Sequence, residues 1–96
     1  MTRRVELRAA AERDLDRLAD FLAKFDQRAS DDRIAWLRVE LRKLGTHPFI
    51  GRPGSRPDYR EFTLKYAKSS YTVRYRVTDD LVEITRLWHG RENRPR

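Results

Sequence analysis

The sequence predicts an α+β fold: a short N-terminal strand, an antiparallel helical hairpin and a three-stranded antiparallel meander. Two observations predict it. Apolar residues recur at intervals of three and four over residues 9–44, then at intervals of two after Asp58. A stretch rich in proline and glycine separates the two regimes. Helices followed by a run of strands place the helices on one face of the sheet.

Val5-Glu6-Leu7 alternates apolar and polar, as a first strand does. Leu15, Leu18, Leu22 and Phe25 then make an apolar stripe with Ala11, Ala19 and Phe21 beside it. Glu12, Arg13, Asp16, Arg17 and Asp20 take the other face, so this segment is an amphipathic helix. Asp26-Gln27-Arg28-Ala29-Ser30 interrupts the pattern, and Ser30 or Asp31 offers the oxygen that caps a second helix. Ile34, Leu37, Leu41 and Leu44 carry its stripe, and Gly45 stands where a C-cap favours a left-handed residue. So short a connection makes the two helices antiparallel. His47-Pro48-Phe49-Ile50-Gly51-Arg52-Pro53-Gly54-Ser55-Arg56-Pro57 supports neither a helix nor a central strand. Phe62, Leu64 and Tyr66 alternate with Glu61, Thr63 and Lys65, and a turn at Lys68-Ser69-Ser70 follows. Tyr71, Val73, Tyr75 and Val77 alternate with Thr72, Arg74 and Arg76. After a turn at Thr78-Asp79-Asp80, Val82, Ile84, Leu87 and Trp88 complete the meander. Residues 90–96 are polar and read as a flexible tail.

A chain of 96 residues is expected to form one domain, 1–96, with no room for a separate cofactor domain. There is no cysteine, which excludes disulfides, thiolate metal sites and a cysteine nucleophile. His47 and His89 lie too far apart in sequence to suggest a zinc site, so neither a metal nor a cofactor is expected. No apolar run reaches membrane-spanning length and the first residues hold no apolar leader segment. A cytoplasmic protein without a membrane partner is the expectation. The net charge of +7 favours acidic partners, either nucleic acid or an acidic protein.

Tyr71, Val73, Tyr75 and Val77 are expected to meet the helices. The opposite face carries Lys65, Arg74, Arg76 and Arg86, with Glu83 as the obvious counter-charge. Such a face, interspersed with Thr63, Thr72 and Thr85, suits phosphates or a carboxylate-rich helix. A solvated outer face is the plainer alternative. His89 beside Arg91 has the residue types of a general base, and a hydrogen-bonded structural histidine is equally common there. His47 before Pro48 reads as a turn residue. Gly51-Arg52-Pro53-Gly54 lacks the Lys-Ser/Thr ending of a phosphate loop. Glu12, Asp14 and Asp16 read as surface ion pairs. Trp36 and Trp88 read as packing residues, Trp88 lying close to the basic face.

These motifs, in this order, resemble the ParE/RelE-type toxins of type II toxin–antitoxin (plasmid stabilisation) systems. The resemblance runs over roughly residues 5–93. It rests on Ala11, Asp14 and Leu15 in the first helix, on His47-Pro48-Phe49-Ile50-Gly51-Arg52, and on Arg60-Glu61-Phe62. Tyr71-Thr72-Val73-Arg74-Tyr75-Arg76-Val77 and Trp88-His89-Gly90-Arg91 complete it. The family implies a compact toxin held harmless by a cognate acidic antitoxin. Arg60, Arg74, Arg76, Arg86, Trp88 and Arg91 are then the expected surface for target or antitoxin. Two activities occur in the family. RelE-type members cleave mRNA on the ribosome without a metal, and on that reading Lys65, Arg91 and His89 are the catalytic candidates. ParE-type members inhibit DNA gyrase. Thr63 and Thr72 replace a lysine and an arginine of the nucleases, and no aromatic residue follows Arg91. The resemblance therefore favours a ParE-like gyrase inhibitor, with a RelE-like ribonuclease as the alternative. A degenerate module that only binds its antitoxin is a third reading.

Overall fold

The structure, a computed structural model, describes residues 2–92. Strand β1 (Arg4–Leu7) leads into helix α1 (Ala9–Ala23) and helix α2 (Gln27–Arg42), which ends in a short 3-10 turn, Lys43–Gly45. Strands β2 (Arg52–Pro53), β3 (Tyr59–Tyr66), β4 (Ser69–Val77) and β5 (Leu81–His89) follow. They form one five-stranded sheet in the order β1-β5-β4-β3-β2. The β3–β4–β5 meander is antiparallel, as its alternation requires, and β1 joins it parallel to β5. Strand β2 is a two-residue edge piece that the proline-rich segment still permits, because an edge proline needs no ladder hydrogen bond.

The core lies between the helical hairpin and one sheet face. Leu15 and Leu18 of α1 and Leu37 and Leu41 of α2 are buried against Tyr71, Val73 and Tyr75 of β4 and Val82, Ile84 and Leu87 of β5. The β5 residues do not keep a spacing of two, and a bulge explains it. Arg74 pairs with Arg86 but Tyr75 pairs with Ile84, leaving Thr85 as the extra residue. The phase resets there, so Leu87 returns to the helix side while Arg86 and Trp88 join Arg74 and Thr72 on the outer face.

Local chemistry differs from expectation at four places. The cap of α2 is Asp26, whose carboxylate accepts from the backbone N–H groups of Arg28 at 2.9 Å and Ala29 at 3.3 Å. Ser30 is instead buried inside α2 and donates to the Ala19 carbonyl of α1 at 2.8 Å. Gly45 is not left-handed. It is required because a Cβ there would meet the Arg3 carbonyl at 2.2 Å, where the Arg3 N–H also bonds to the Gly45 carbonyl. The β3–β4 turn is Ala67-Lys68, with Ala67 at φ 52°, so Ser69 and Ser70 belong to β4. Phe25 lies beyond the end of α1, where helical periodicity no longer applies, and is 76% exposed.

These placements set the stability map. Leu37→Ala or Leu41→Ala is expected to cost about 2–5 kcal/mol through cavity formation, whereas Phe25→Ala should stay within roughly 0.5 kcal/mol of wild type. Urea denaturation measures both. Equal losses at Leu41 and Phe25 would contradict this assignment of the buried faces.

Candidate functional site

Strand β1 stops short of the far end of β5. Its last register partner is Ile84, whose carbonyl accepts from the Arg8 N–H at 2.9 Å. Among the described residues no strand neighbours this edge of β5 from Thr85 onward, and side chains close it. The Leu87 N–H donates to Asp14 Oδ2 at 2.8 Å, and the Leu87 carbonyl accepts from Arg17 at 3.2 Å. The His89 N–H donates to Glu92 Oε1 at 2.7 Å. Arg17 ties the two carboxylates together, bonding to Asp14 and, through Nε, to Glu92 at 2.9 Å. Arg86 reaches round the edge from the outer face to Asp14 at 2.9 Å. Asp14 is therefore a buried carboxylate, 3% exposed, and not the surface ion pair expected. It falls on the same helical stripe as Ala11, Leu15 and Leu18, which was the available signal.

Burial acts to raise the Asp14 pKa. The hydrogen bonds from Arg86, the Leu87 N–H and Arg17 outweigh it, so the carboxyl titrates below its ordinary 3.8. Glu92 is lowered in the same way: burial opposes, and the bonds from Arg17 and the His89 N–H prevail. Of the tail expected at 90–96, residues 93–96 lie outside the described residues. Before them, the Gly90 N–H is bonded to the Ser70 carbonyl at 2.7 Å and Glu92 is held by Arg17.

The outer sheet face is less cationic than its sequence suggested, because cross-strand register supplies counter-charges. Glu61 faces Arg74 and bonds to it at 3.0 Å; Glu83 faces Arg76 and bonds to it at 2.7 Å. Glu61 is the counter-charge that sequence reading missed. Trp88 is buried to 2% on this face, with the guanidinium groups of Arg74 and Arg86 each 4.9 Å from its ring. Lys65 stands exposed across from Ser70, and the next pair on that face is Thr63 with Thr72, so its register neighbours there carry hydroxyls and no charge.

Two of the three catalytic candidates, Lys65 and His89, lie on opposite faces of the sheet. Tyr71 is the register partner of both Leu64 and His89, which puts His89 on the helix face and Lys65, one residue past Leu64, on the other. The His89 ring meets Tyr71 edge-on at 5.3 Å. Its Nδ1 accepts from the Arg91 N–H at 3.1 Å, so a neutral imidazole carries its proton on Nε2 and keeps no free lone pair for a base. Arg91 is exposed in the turn after β5. Arg60 lies on the core-facing side of β3 and donates to the Gly51 carbonyl at 2.7 Å, while the Tyr75 hydroxyl accepts from the Gly51 N–H at 2.8 Å. Together they pin the proline-rich loop. A Cβ at Gly51 would come within 2.5 Å of that hydroxyl.

Residues 5–94 match the family of the ParE toxin of the type II toxin–antitoxin system, parDE. The chain belongs to the ParE toxin family. It is 36% identical over 94 residues to a protein named Toxin RelE1 from Caulobacter vibrioides, covering 98% of this chain and 100% of that one. Among solved structures, the chromosomal ParDE system from P. aeruginosa shares the toxin's fold with a TM-score of 0.75 at 19% identity, over 90% of this chain and 94% of its own. The toxin–antitoxin complex RelBE2 from Mycobacterium tuberculosis does so with a TM-score of 0.63 at 22% identity, over 93% and 99%. The protein is thus a type II toxin of the ParE/RelE superfamily. Among the described residues no helix of the toxin is long and apolar enough to cross a membrane, and no group of three potential metal ligands comes together.

The sealed edge makes a pH prediction for the toxin. Folding lowers the Asp14 pKa, so its stabilisation is complete above the ordinary 3.8 and disappears as the pH falls through the folded value. Asp14→Ala, which leaves Arg86 and the Leu87 N–H without their acceptor, should cost about 3–5 kcal/mol near neutrality and flatten the acid limb of Tm against pH. A variant with the same acid limb as wild type would show that Asp14 does not carry this dependence.

Proposed function

We propose that this chain acts as one toxin domain that inhibits DNA gyrase and is neutralised by a cognate antitoxin. The observation that carries the choice is the surroundings of Lys65. Cleavage of mRNA through a 2′-hydroxyl requires a base and several cations around one phosphate, so that the dianionic transition state is stabilised. Here Lys65 has hydroxyl neighbours, His89 lies on the opposite sheet face with its Nδ1 engaged, and Arg74, Arg76 and Arg86 are each bonded to a carboxylate. The match to the ParE toxin family points the same way.

The alternative, ribosome-dependent mRNA cleavage, is favoured by the name of the 36% identical relative, Toxin RelE1. It would use Lys65 and Arg91, with His89 freed from its bond to the Arg91 N–H. Antitoxin partnership is common to both readings and is supported by solved relatives described as toxin–antitoxin systems.

Purified toxin should block supercoiling of relaxed plasmid by gyrase, accumulate cleaved DNA, and leave mRNA intact on programmed ribosomes. Reversing the exposed charge by Arg91→Glu should weaken inhibition by about tenfold or more while leaving the fold unchanged, because that position buries little. Lys65→Ala should leave gyrase inhibition unchanged within about threefold, since a single solvated charge contributes little. Codon-specific cuts in the ribosomal A site that Lys65→Ala abolishes, with gyrase untouched, would replace this reading by the ribonuclease.

A further inference from the structure

The stretch of β5 that β1 does not reach is closed by side chains; the stretch of β3 that β2 does not reach is left open. Strand β2 pairs only Arg52 with Glu61 and Pro53 with Arg60. From Phe62 to Tyr66 the side of β3 away from β4 meets no strand among the described residues. Backbone groups alternate in direction along a strand, which fixes what this edge offers. The Tyr59 carbonyl accepts from the Gly54 N–H at 2.7 Å on the β2 side. Thr63 and Lys65 therefore turn their N–H and C=O groups outward, while Phe62, Leu64 and Tyr66 turn theirs to β4. Among the described residues those outward groups have no hydrogen-bond partner, from backbone or from side chain.

The side chains along this edge are sorted by face. Leu64 is in the core, Phe62 packs against it, and Tyr66, 37% exposed, meets Trp36 edge-on at 4.9 Å. Thr63 and Lys65 are exposed on the outer face. A strand that joins here has to set apolar residues opposite the first three and polar, non-cationic ones opposite Lys65.

We propose that this edge pairs with the same edge of a second copy of the chain, antiparallel about a two-fold axis at Leu64. With Thr63 and Lys65 as the outward residues, a self-pair can be centred on Thr63, Leu64 or Lys65. Centring on Lys65 sets two ammonium groups opposite each other. Centring on Thr63 sets Lys65 opposite Glu61 of the second copy, where Arg52 already occupies the edge. Centring on Leu64 meets neither obstacle. Thr63 then faces Lys65 of the second copy, and Lys65 faces Thr63 of the second copy, each pair exchanging two N–H···O=C bonds. On the helix side Leu64 meets Leu64, and Phe62 meets Tyr66, so the core continues across the axis. A second copy thus supplies the pattern that both faces of the edge require. The segment is short beside the roughly 20–30 residues a side of a stable interface, and two chains of charge +7 repel. The dimer is accordingly weak, and salt strengthens it by screening.

Sedimentation equilibrium of the whole chain tests this, from about 10 µM to about 1 mM at low and high salt. The average mass should rise with concentration, and rise further at high salt. Thr63→Pro should hold the chain monomeric with unchanged circular dichroism, because the N–H it removes lies outside the β4 ladder. Thr63→Glu, facing Lys65 of the second copy, should tighten association by about threefold or more, and Thr63→Lys should weaken it by as much. Thr2→Glu makes the same charge change at an exposed site beside β1, at the far side of the sheet, and should have the smaller effect. In hydrogen exchange the Thr63 and Lys65 amides should slow as concentration rises, while the Leu64 amide, held by β4, keeps its rate. A chain monomeric at about 1 mM, where even a millimolar Kd is visible, would overturn the proposal. So would a dimer that Thr63→Pro leaves intact, which would place self-association on another surface, such as the exposed Phe21 and Phe25. Equal effects of Thr63→Glu and Thr2→Glu would overturn the register.

Discussion

One carboxylate sets the geometry on which the rest of this toxin depends. Asp14 projects from the buried stripe of α1 to the part of β5 that β1 does not reach, and accepts the Leu87 N–H, Arg86 and Arg17. A bare strand edge next to a helix would leave a donor without a partner and invite pairing with another chain. Filling it with a charged acceptor lashes helix to sheet, and the bonds also keep the carboxylate ionised despite its burial.

Several features of the C-terminal end follow. Arg86 crosses the edge to reach Asp14 and also lies against Trp88, whose ring Arg74 approaches as well. Arg17, fixed by Asp14, in turn holds Glu92, and Glu92 takes the His89 N–H. The turn carrying Arg91 is thereby tied to α1. Charges that a sequence shows as a +7 excess are thus partly answered: Arg74 and Arg76 are bonded to carboxylates across the strands and Arg86 to Asp14 of α1, while Lys65 stands exposed.

The helices, the meander and the helix-facing residues of β4 were legible in sequence because each follows from periodicity alone. Tyr71, Val73 and Tyr75 could be placed without knowing what they touched. What escaped depended on contacts distant in the chain. Thr85 looks like any strand residue, and only pairing with β4 makes it the bulge that moves Arg86 and Trp88 outward. Glu61 is a counter-charge only because register sets it opposite Arg74. Ser30 or Asp31 rather than Asp26 looked like the cap because all three can cap, and the choice turned on where the interhelical loop ends. Asp14 was the nearest miss: its stripe position was visible, but a carboxylate is placed inside only once its donors are known. Lys65 and His89 read as one constellation in sequence, and the pleat put them on opposite faces.

The central claim is that side chains do the work of a missing strand along β5. Native-state hydrogen exchange measures it directly, residue by residue. The Leu87 and His89 amides, which no strand among the described residues faces on that edge, should exchange nearly as slowly as amides inside the β4–β5 ladder. Rapid exchange at Leu87, at the rate of an open strand edge, would contradict the account.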